Sequence, residues 1–319
     1  MFGLDGFGFT AMWSPWMIVF FATLAALYLY ATGPGRRYFR DAEPVPAVKK
    51  AWFLGGLLFL YAAFGSPIDL LGHLMFTFHM LSMAFAYIIA APMLLAGTPD
   101  WLVRPIGRIP GIRRLKFLLN PIFTLIVFNL AFSLYHVPSV HDYVMTQFTV
   151  HTLYYILLMV TSILMWFPVI CPVKSMDRLA GFKKMGYIFA NSVLLMPACA
   201  LIIFADDAMY ATYTDPLLWA TALGYCVPMN STTIIEMFSG PQSLAWMEAV
   251  EDQQLGGVLM KLIQEAVYGT ILSYVFMQWY RRENPKEREG DSLDPTPELL
   301  EQLRVANAVR NVSEPVVGK

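Results

Sequence analysis

Seven apolar stretches, each close to the length that helix needs to cross hydrocarbon, constrain this chain more than any single motif. A bilayer core about 30 Å thick takes roughly 20 residues of helix. Such stretches run over Ala11–Ala31, Lys50–Gly65, Gly72–Ala96, Phe117–His136, Val150–Ile170, Met185–Ala205 and Val258–Tyr280. The composition agrees, with 57% hydrophobic and only 14% charged residues, far from the roughly 25% charge of a soluble domain. The expected fold class is all-α, a polytopic membrane helix bundle of seven transmembrane helices spanning residues 1–280, with a charged and largely disordered tail over 281–319. A short helix is expected in that tail from Pro297 to Val309.

The basic residues test this count independently, because short cytoplasmic loops retain Lys and Arg. Arg36, Arg37, Arg40, Lys49 and Lys50 follow the first stretch; Arg104, Arg108, Arg113, Arg114 and Lys116 follow the third. Lys174, Arg178, Lys183 and Lys184 follow the fifth, and Arg281, Arg282, Lys286, Arg288, Arg304, Arg310 and Lys319 follow the last. These sets of five, five, four and seven hold 21 of the 22 basic residues. The alternate segments, Ser66–Leu71, Val137–Thr149 and Asp206–Gly257, hold none. An odd number of spans follows, with the amino terminus outside and the carboxyl terminus in the cytoplasm. No cleavable leader is expected, since the first basic residue, Arg36, comes after the first apolar run. Within the long outer segment 206–257, residues 217–229 are apolar but too short to cross and are expected as an interfacial or re-entrant piece.

Several function classes lack support. Cys171, Cys199 and Cys226 form no CxxC spacing and are expected as apolar fillers. No phosphate-binding glycine loop, nucleophile elbow or zincin motif is present, and nothing points to nucleic acid. An enzyme is not expected.

The chemistry-bearing residues concentrate at one end. His73, His79, His136, His141 and His151 all fall near the outer ends of the third to fifth spans. On a continuous third helix, Asp69, His73, Met75, His79, Met80 and Met83 would share an arc of roughly 160°, with His79 about 9 Å below His73. Imidazole with thioether suits reduced copper, so His73, His79, His136, His151, Met80 and Met83 are the candidate metal ligands. Plain packing competes with this for the methionines. Asp69 has a structural alternative, in which Ser66 caps the helix, Pro67 takes its first turn and the carboxylate faces the helix amino end. Lys261 and Glu265 lie four residues apart inside the last span, where a central charge costs about 2.5–3.5 kcal/mol, and are expected to pair. Asp252 and Gln253 begin a run, Asp252-Gln253-Gln254-Leu255-Gly256-Gly257, whose glycines permit close approach of another backbone.

In their order along the chain, Ser66-Pro67-Ile68-Asp69, Gly72-His73, His79-Met80, Ala91-Pro92, Tyr135-His136-Val137-Pro138, His151, Trp166-Phe167-Pro168 and Asp252-Gln253-Gln254-Leu255-Gly256-Gly257 resemble the CtaG family. These are bacterial membrane proteins needed to assemble caa3-type haem-copper cytochrome c oxidase. The likeness covers roughly Ala51–Tyr280. It implies an assembly factor handling copper, with His73, His79, His136 and His151 at the matching positions. Haem-copper oxidase subunits, an extracytoplasmic copper donor and the lipid bilayer are the implied partners. One departure stands out: His-Met-x-x-His in relatives reads His79-Met80-Leu81-Ser82-Met83 here. Two other functions stay open at this point, a haem- or quinone-linked membrane oxidoreductase and a metal-free scaffold for an oxidase subunit.

Overall fold

The computed structural model describes residues 7–105, 109, 115–227, 229–284, 300–302 and 304. Among them the chain is helical, without strands. The helices are α1 (Pro15–Thr32), α2 (Ala47–Phe64), α3 (Pro67–Leu74), α4 (Phe76–Gly97), α5 (Pro121–Tyr135), α6 (Pro138–Thr146), α7 (Phe148–Trp166), α8 (Phe182–Ile203), α9 (Pro216–Leu223), α10 (Ser231–Phe238) and α11 (Ala249–Glu283). Six runs are each long and apolar enough to cross a membrane: Phe9–Thr32, Ala47–Leu74, Phe76–Gly97, Phe148–Trp166, Phe182–Ile203 and Ala249–Glu283. A seventh is counted if α5 and α6, bent by 79° at Val137, form one span. The chain divides into two units, Met1–Leu272 and Ser273–Lys319. Most of the tail helix expected over Pro297–Val309 lies outside the described residues; 300–302 and 304 are helical.

Two expected boundaries are corrected. The third helix does not run unbroken from Gly72 to Ala96. Residues 67–71, expected in the outer segment and, from Pro67, as the start of the third helix, belong to α3, which extends the second span to Leu74. Ser66 caps α3 as its sequence suggests, its Oγ accepting from Ile68 N at 3.2 Å, with Pro67 in the first turn. The break falls at Met75, whose backbone is extended. Neither proline nor glycine causes it; the amides that open α4 are held from elsewhere, as described below. The last helix begins at Ala249 rather than Val258, so the Asp252–Gly257 run is helical and not loop.

Small residues set the close packing between spans, as in membrane bundles generally. A Cβ on Gly56 would stand 2.8 Å from Leu94 Cγ, and one on Gly97 would stand 2.7 Å from Lys49 O. Helix α4 takes a π-helical turn over Ala84–Ala90. Such a turn disturbs the regular i→i−4 ladder, and here the carbonyl of Tyr87 accepts from Ser162 Oγ at 2.7 Å and Trp166 Nε1 at 3.1 Å. Polar groups also join α5, α8 and α11: Asn191 accepts from Asn129 Nδ2 at 2.5 Å and donates to Tyr268 OH at 2.8 Å.

Of the expected piece 217–229, residues 217–227 fold as α9 and the turn after it, and Pro228 lies outside the described residues. Trp219, Ala220, Leu223 and Val227 bury themselves against Leu70, Leu74 and Met75, with Ile234 of α10 and Phe7 completing the cluster. This layer covers the α3–α4 junction, where the histidines lie.

Candidate functional site

The break at Met75 creates the site. The backbone N–H groups of Phe76 and Thr77 begin a helix and lack intrahelical acceptors. Asp252 supplies them from α11: Oδ2 accepts from Phe76 N at 2.5 Å and Oδ1 from Thr77 N at 3.1 Å, while Thr77 Oγ1 donates to the Asp252 carbonyl at 2.9 Å. Gln253 Oε1 accepts from Met209 N at 2.8 Å, and Gln254 Nε2 donates to Ala205 O at 3.0 Å, fastening the segment after α8. Gly256 has no room for a side chain, since a Cβ would lie 3.0 Å from Phe76 Cδ1 and 3.1 Å from Thr77 Cα. The Asp252–Gly257 run is therefore a clasp that holds the start of α4. Asp252 and Gln253 are structural contributors in this geometry and sit behind the histidines.

With α4 restarted, α3 and α4 meet closely enough that a Cβ on Gly72 would be 3.3 Å from His79 Cα. The single-helix arc expected for Asp69, His73, Met75, His79, Met80 and Met83 does not form. Asp69 and His73 lie on α3, and His79, Met80 and Met83 lie on α4. The break nevertheless gathers all five imidazoles. The His79 ring centroid is 5.2 Å from His141 and 6.4 Å from His136, and His73 is 6.0 Å from His151. His73, His79, His136 and His141 are buried.

Aromatic rings wall the cluster. Tyr135 stacks on His79 at 5.6 Å, Tyr155 lies 4.1 Å from His151, and Phe76 and Tyr210 flank His141 at 6.0 and 4.5 Å. A loop latches over them: Tyr210 OH donates to His136 O at 2.9 Å and Tyr213 OH to Gly72 O at 2.7 Å. Asp142 holds that loop by accepting from Ala211 N at 3.1 Å and Thr212 N at 3.0 Å.

The hydrogen bonds settle which ring nitrogens are available. His73 Nδ1 donates to Asp69 O at 3.0 Å and His136 Nδ1 to Phe132 O at 2.8 Å. A carbonyl only accepts, so each Nδ1 carries the proton and each neutral ring keeps its Nε2 lone pair. His79 Nε2, His136 Nε2, His141 Nε2 and His151 Nε2 are buried without a hydrogen-bond partner, and His141 Nδ1 faces Asp142 Oδ1 at 3.7 Å. Leaving such a group unsatisfied costs about 1–3 kcal/mol. Among the described residues, no three His, Cys, Asp or Glu donors already converge as a metal site.

The remaining expected residues separate. Asp69 sits in the first turn of α3, its carbonyl taken by His73. Met80 is fully buried and faces Gly256, its Cγ 3.2 Å from where that Cβ would be; Met83 is fully buried one turn further along. Sequence reasoning left His141, Met145, Tyr135 and Cys226 out of the site. Met145 Sδ accepts from Tyr135 OH at 3.5 Å, and Cys226 Sγ stands 3.3 Å from His73 Nδ1. Burial, helped by the Asp69 carboxylate, pushes the Cys226 thiol well above its ordinary value, so it is held as the thiol. The signal for His141 was present, since it lies in the outer segment five residues after His136.

The sequence profile of the cytochrome c oxidase caa3 assembly factors matches residues 26–282. The chain belongs to this family. No curated protein and no solved structure matches it. The matched region of the caa3 assembly factor contains both the Asp252–Gly257 clasp and every histidine of the cluster.

Proposed function

We propose that this caa3 assembly factor receives copper at the extracytoplasmic face and passes it to a subunit of the oxidase in the same membrane. The amino terminus lies outside and the carboxyl terminus in the cytoplasm, as the distribution of basic residues supports. The observation that carries the reading is the set of buried, unbonded nitrogens on His79, His136, His141 and His151, with His73 beside them. In this reading the chain is no enzyme, copper is cargo, and a donor protein outside the membrane supplies it.

The chemistry fits a transient guest. Ring centroids 5.2–6.4 Å apart leave space for one ion between imidazoles but not for the disc of a haem. Among the described residues no three donors close a metal site, and an open set of imidazoles binds less tightly than a closed one, which favours release to a partner. Backbone carbonyls on Nδ1 of His73 and His136 orient the rings for Nε2 ligation, the usual outer support of a metal-binding histidine.

The test is metal analysis of the purified protein loaded with Cu(I), wild type beside a His79→Ala and His151→Ala double variant, with oxidase activity of the membranes in parallel. The expected result is copper bound by the wild type, lost in the double variant, and loss of oxidase activity with normal membrane insertion. Full oxidase activity in the double variant would remove the site from function. A wild type that binds no copper, with activity still lost in the variant, would leave a metal-free scaffold.

A further inference from the structure

The last helix carries two charges in the middle of its length, and the chain itself buries neither completely. Lys261 Nζ donates to Glu265 Oε1 at 2.5 Å, with side chains 25% and 52% exposed. Ser192 Oγ donates to the same oxygen at 3.0 Å, so the carboxylate keeps acceptor capacity on Oε2. Ser192 is the eleventh of the 22 residues of α8, which places Glu265 level with the centre of that span. At this depth an exposed ion pair faces hydrocarbon, a costly position that calls for protein cover.

The residues beside the pair point to a helix as the cover. Lys261, Glu265 and Gly269 follow at i, i+4 and i+8 and make one ridge. Gly269 is exposed, and a Cβ there would meet nothing within 4 Å, so no neighbour within this chain requires glycine. Glycine weakens a helix; in membranes, exposed small residues mark where a second helix comes close. Ala266 and Thr270 beside it are exposed and small as well.

We propose that the Lys261–Glu265–Gly269 ridge is the contact face between two copies of this chain. They are related by a two-fold axis across the membrane, with their last helices side by side and parallel. Charge complementarity selects a second copy. Under this rotation Lys261 of each copy stands one helical turn from Glu265 of the other and reaches along the seam to it, so the four charges pair across the contact. The axial offset is about 6 Å, within the reach that paired Lys and Glu bridge between parallel helices of a coiled coil. Ser192 and the intrachain bond hold the carboxylate in place for this second donor.

The experiment uses full-length protein in liposomes of neutral lipid, half the copies carrying a donor dye and half an acceptor. Energy transfer is followed against protein-to-lipid ratio. Wild type is expected to associate, and K261E or E265K alone, which bring four like charges together, to associate about tenfold more weakly. An equimolar mixture of the two single variants is expected to recover, since each copy then meets its opposite, and so is the doubly swapped K261E/E265K. An ion pair that acts only within one chain cannot produce recovery in the mixture, so a mixture no better than its components overturns the proposal. Wild type that stays monomeric at every ratio also overturns it. If the charge variants fail to insert, Gly269→Leu keeps both charges and is expected to weaken association; unchanged transfer in that variant refutes the close approach. An Ala266→Cys variant that crosslinks to an oxidase subunit rather than to itself assigns the face elsewhere and overturns it.

Discussion

Replacing Asp252 by alanine tests the idea that the site depends on a helix start capped from a distant part of the chain. The substitution removes both acceptors of Phe76 N and Thr77 N, while the bond from Thr77 Oγ1 to the residue 252 carbonyl is retained because it involves only backbone at that end. Phe76 and Asp252 are both buried, at 1% and 4% exposure, so water does not readily replace the lost oxygens. At about 1–3 kcal/mol for each orphaned donor, the expected cost is about 3 kcal/mol, allowing for some local relaxation. Spread over a unit of this length, that corresponds to a fall in Tm of about 5 °C. Asp252→Asn keeps one acceptor and should lose about half as much. Glu251→Ala, a change at the exposed neighbouring carboxylate, should stay within about 0.5 kcal/mol of wild type. Thermal unfolding of the three variants in one detergent, followed by tryptophan fluorescence, gives the ranking. If Asp252→Ala melts with Glu251→Ala, or the asparagine is as costly as the alanine, the cap does not hold the helix and the reasoning fails.

Three further outcomes follow from the geometry. Gly256→Ala drives a Cβ into Phe76 Cδ1 at 3.0 Å and Thr77 Cα at 3.1 Å and should cost about 1–3 kcal/mol; Gly186→Ala, where nothing lies within 4 Å, should cost nothing in the same melt. Asn191→Leu breaks the bonds to Asn129 and Tyr268 and leaves both partners buried, lowering stability by about 2 kcal/mol in denaturant unfolding. His141→Ala should reduce oxidase activity of membranes as severely as His79→Ala, because the two rings lie 5.2 Å apart and both retain unbonded nitrogens; wild-type activity would remove His141 from the site.

What could be read from sequence was what local residues decide. Hydrocarbon thickness acts on each apolar run separately, so the runs at Ala11 and Met185 anticipated helices that the structure begins two and three residues earlier, at Phe9 and Phe182, while the run at Val258 anticipated one that begins nine residues earlier, at Ala249. The Ser66 cap was legible because donor and acceptor are two residues apart. The fourth run was read too simply: Asn120 and Pro121 start α5 four residues after Phe117, and the Val137-Pro138 turn bends the chain into α6. The break at Met75 could not be seen at all. Leu71 to Phe78 is apolar apart from His73 and Thr77, and the acceptors that stop the helix stand 176 positions away in Asp252.

That distant cap changes what the histidines can do together. On one continuous helix, His73 and His79 would be separated by about 9 Å of rise and roughly 120° around the axis, towards opposite edges of the arc they share. Breaking the helix places them on two elements whose backbones touch at Gly72 and His79, so that α5, α6 and α7 need contribute only His136, His141 and His151 to complete the cluster. The Asp252-Gln253-Gln254-Leu255-Gly256-Gly257 motif is thus the one on which the placement of the imidazoles depends. Its carboxylate caps the start of α4, its amides secure the loop that carries Tyr210 and Tyr213 over the rings, and its first glycine lets α11 lie against Phe76. A change there should disturb the histidine cluster without touching an imidazole, and loss of oxidase assembly in such a variant would report on geometry rather than on ligand chemistry.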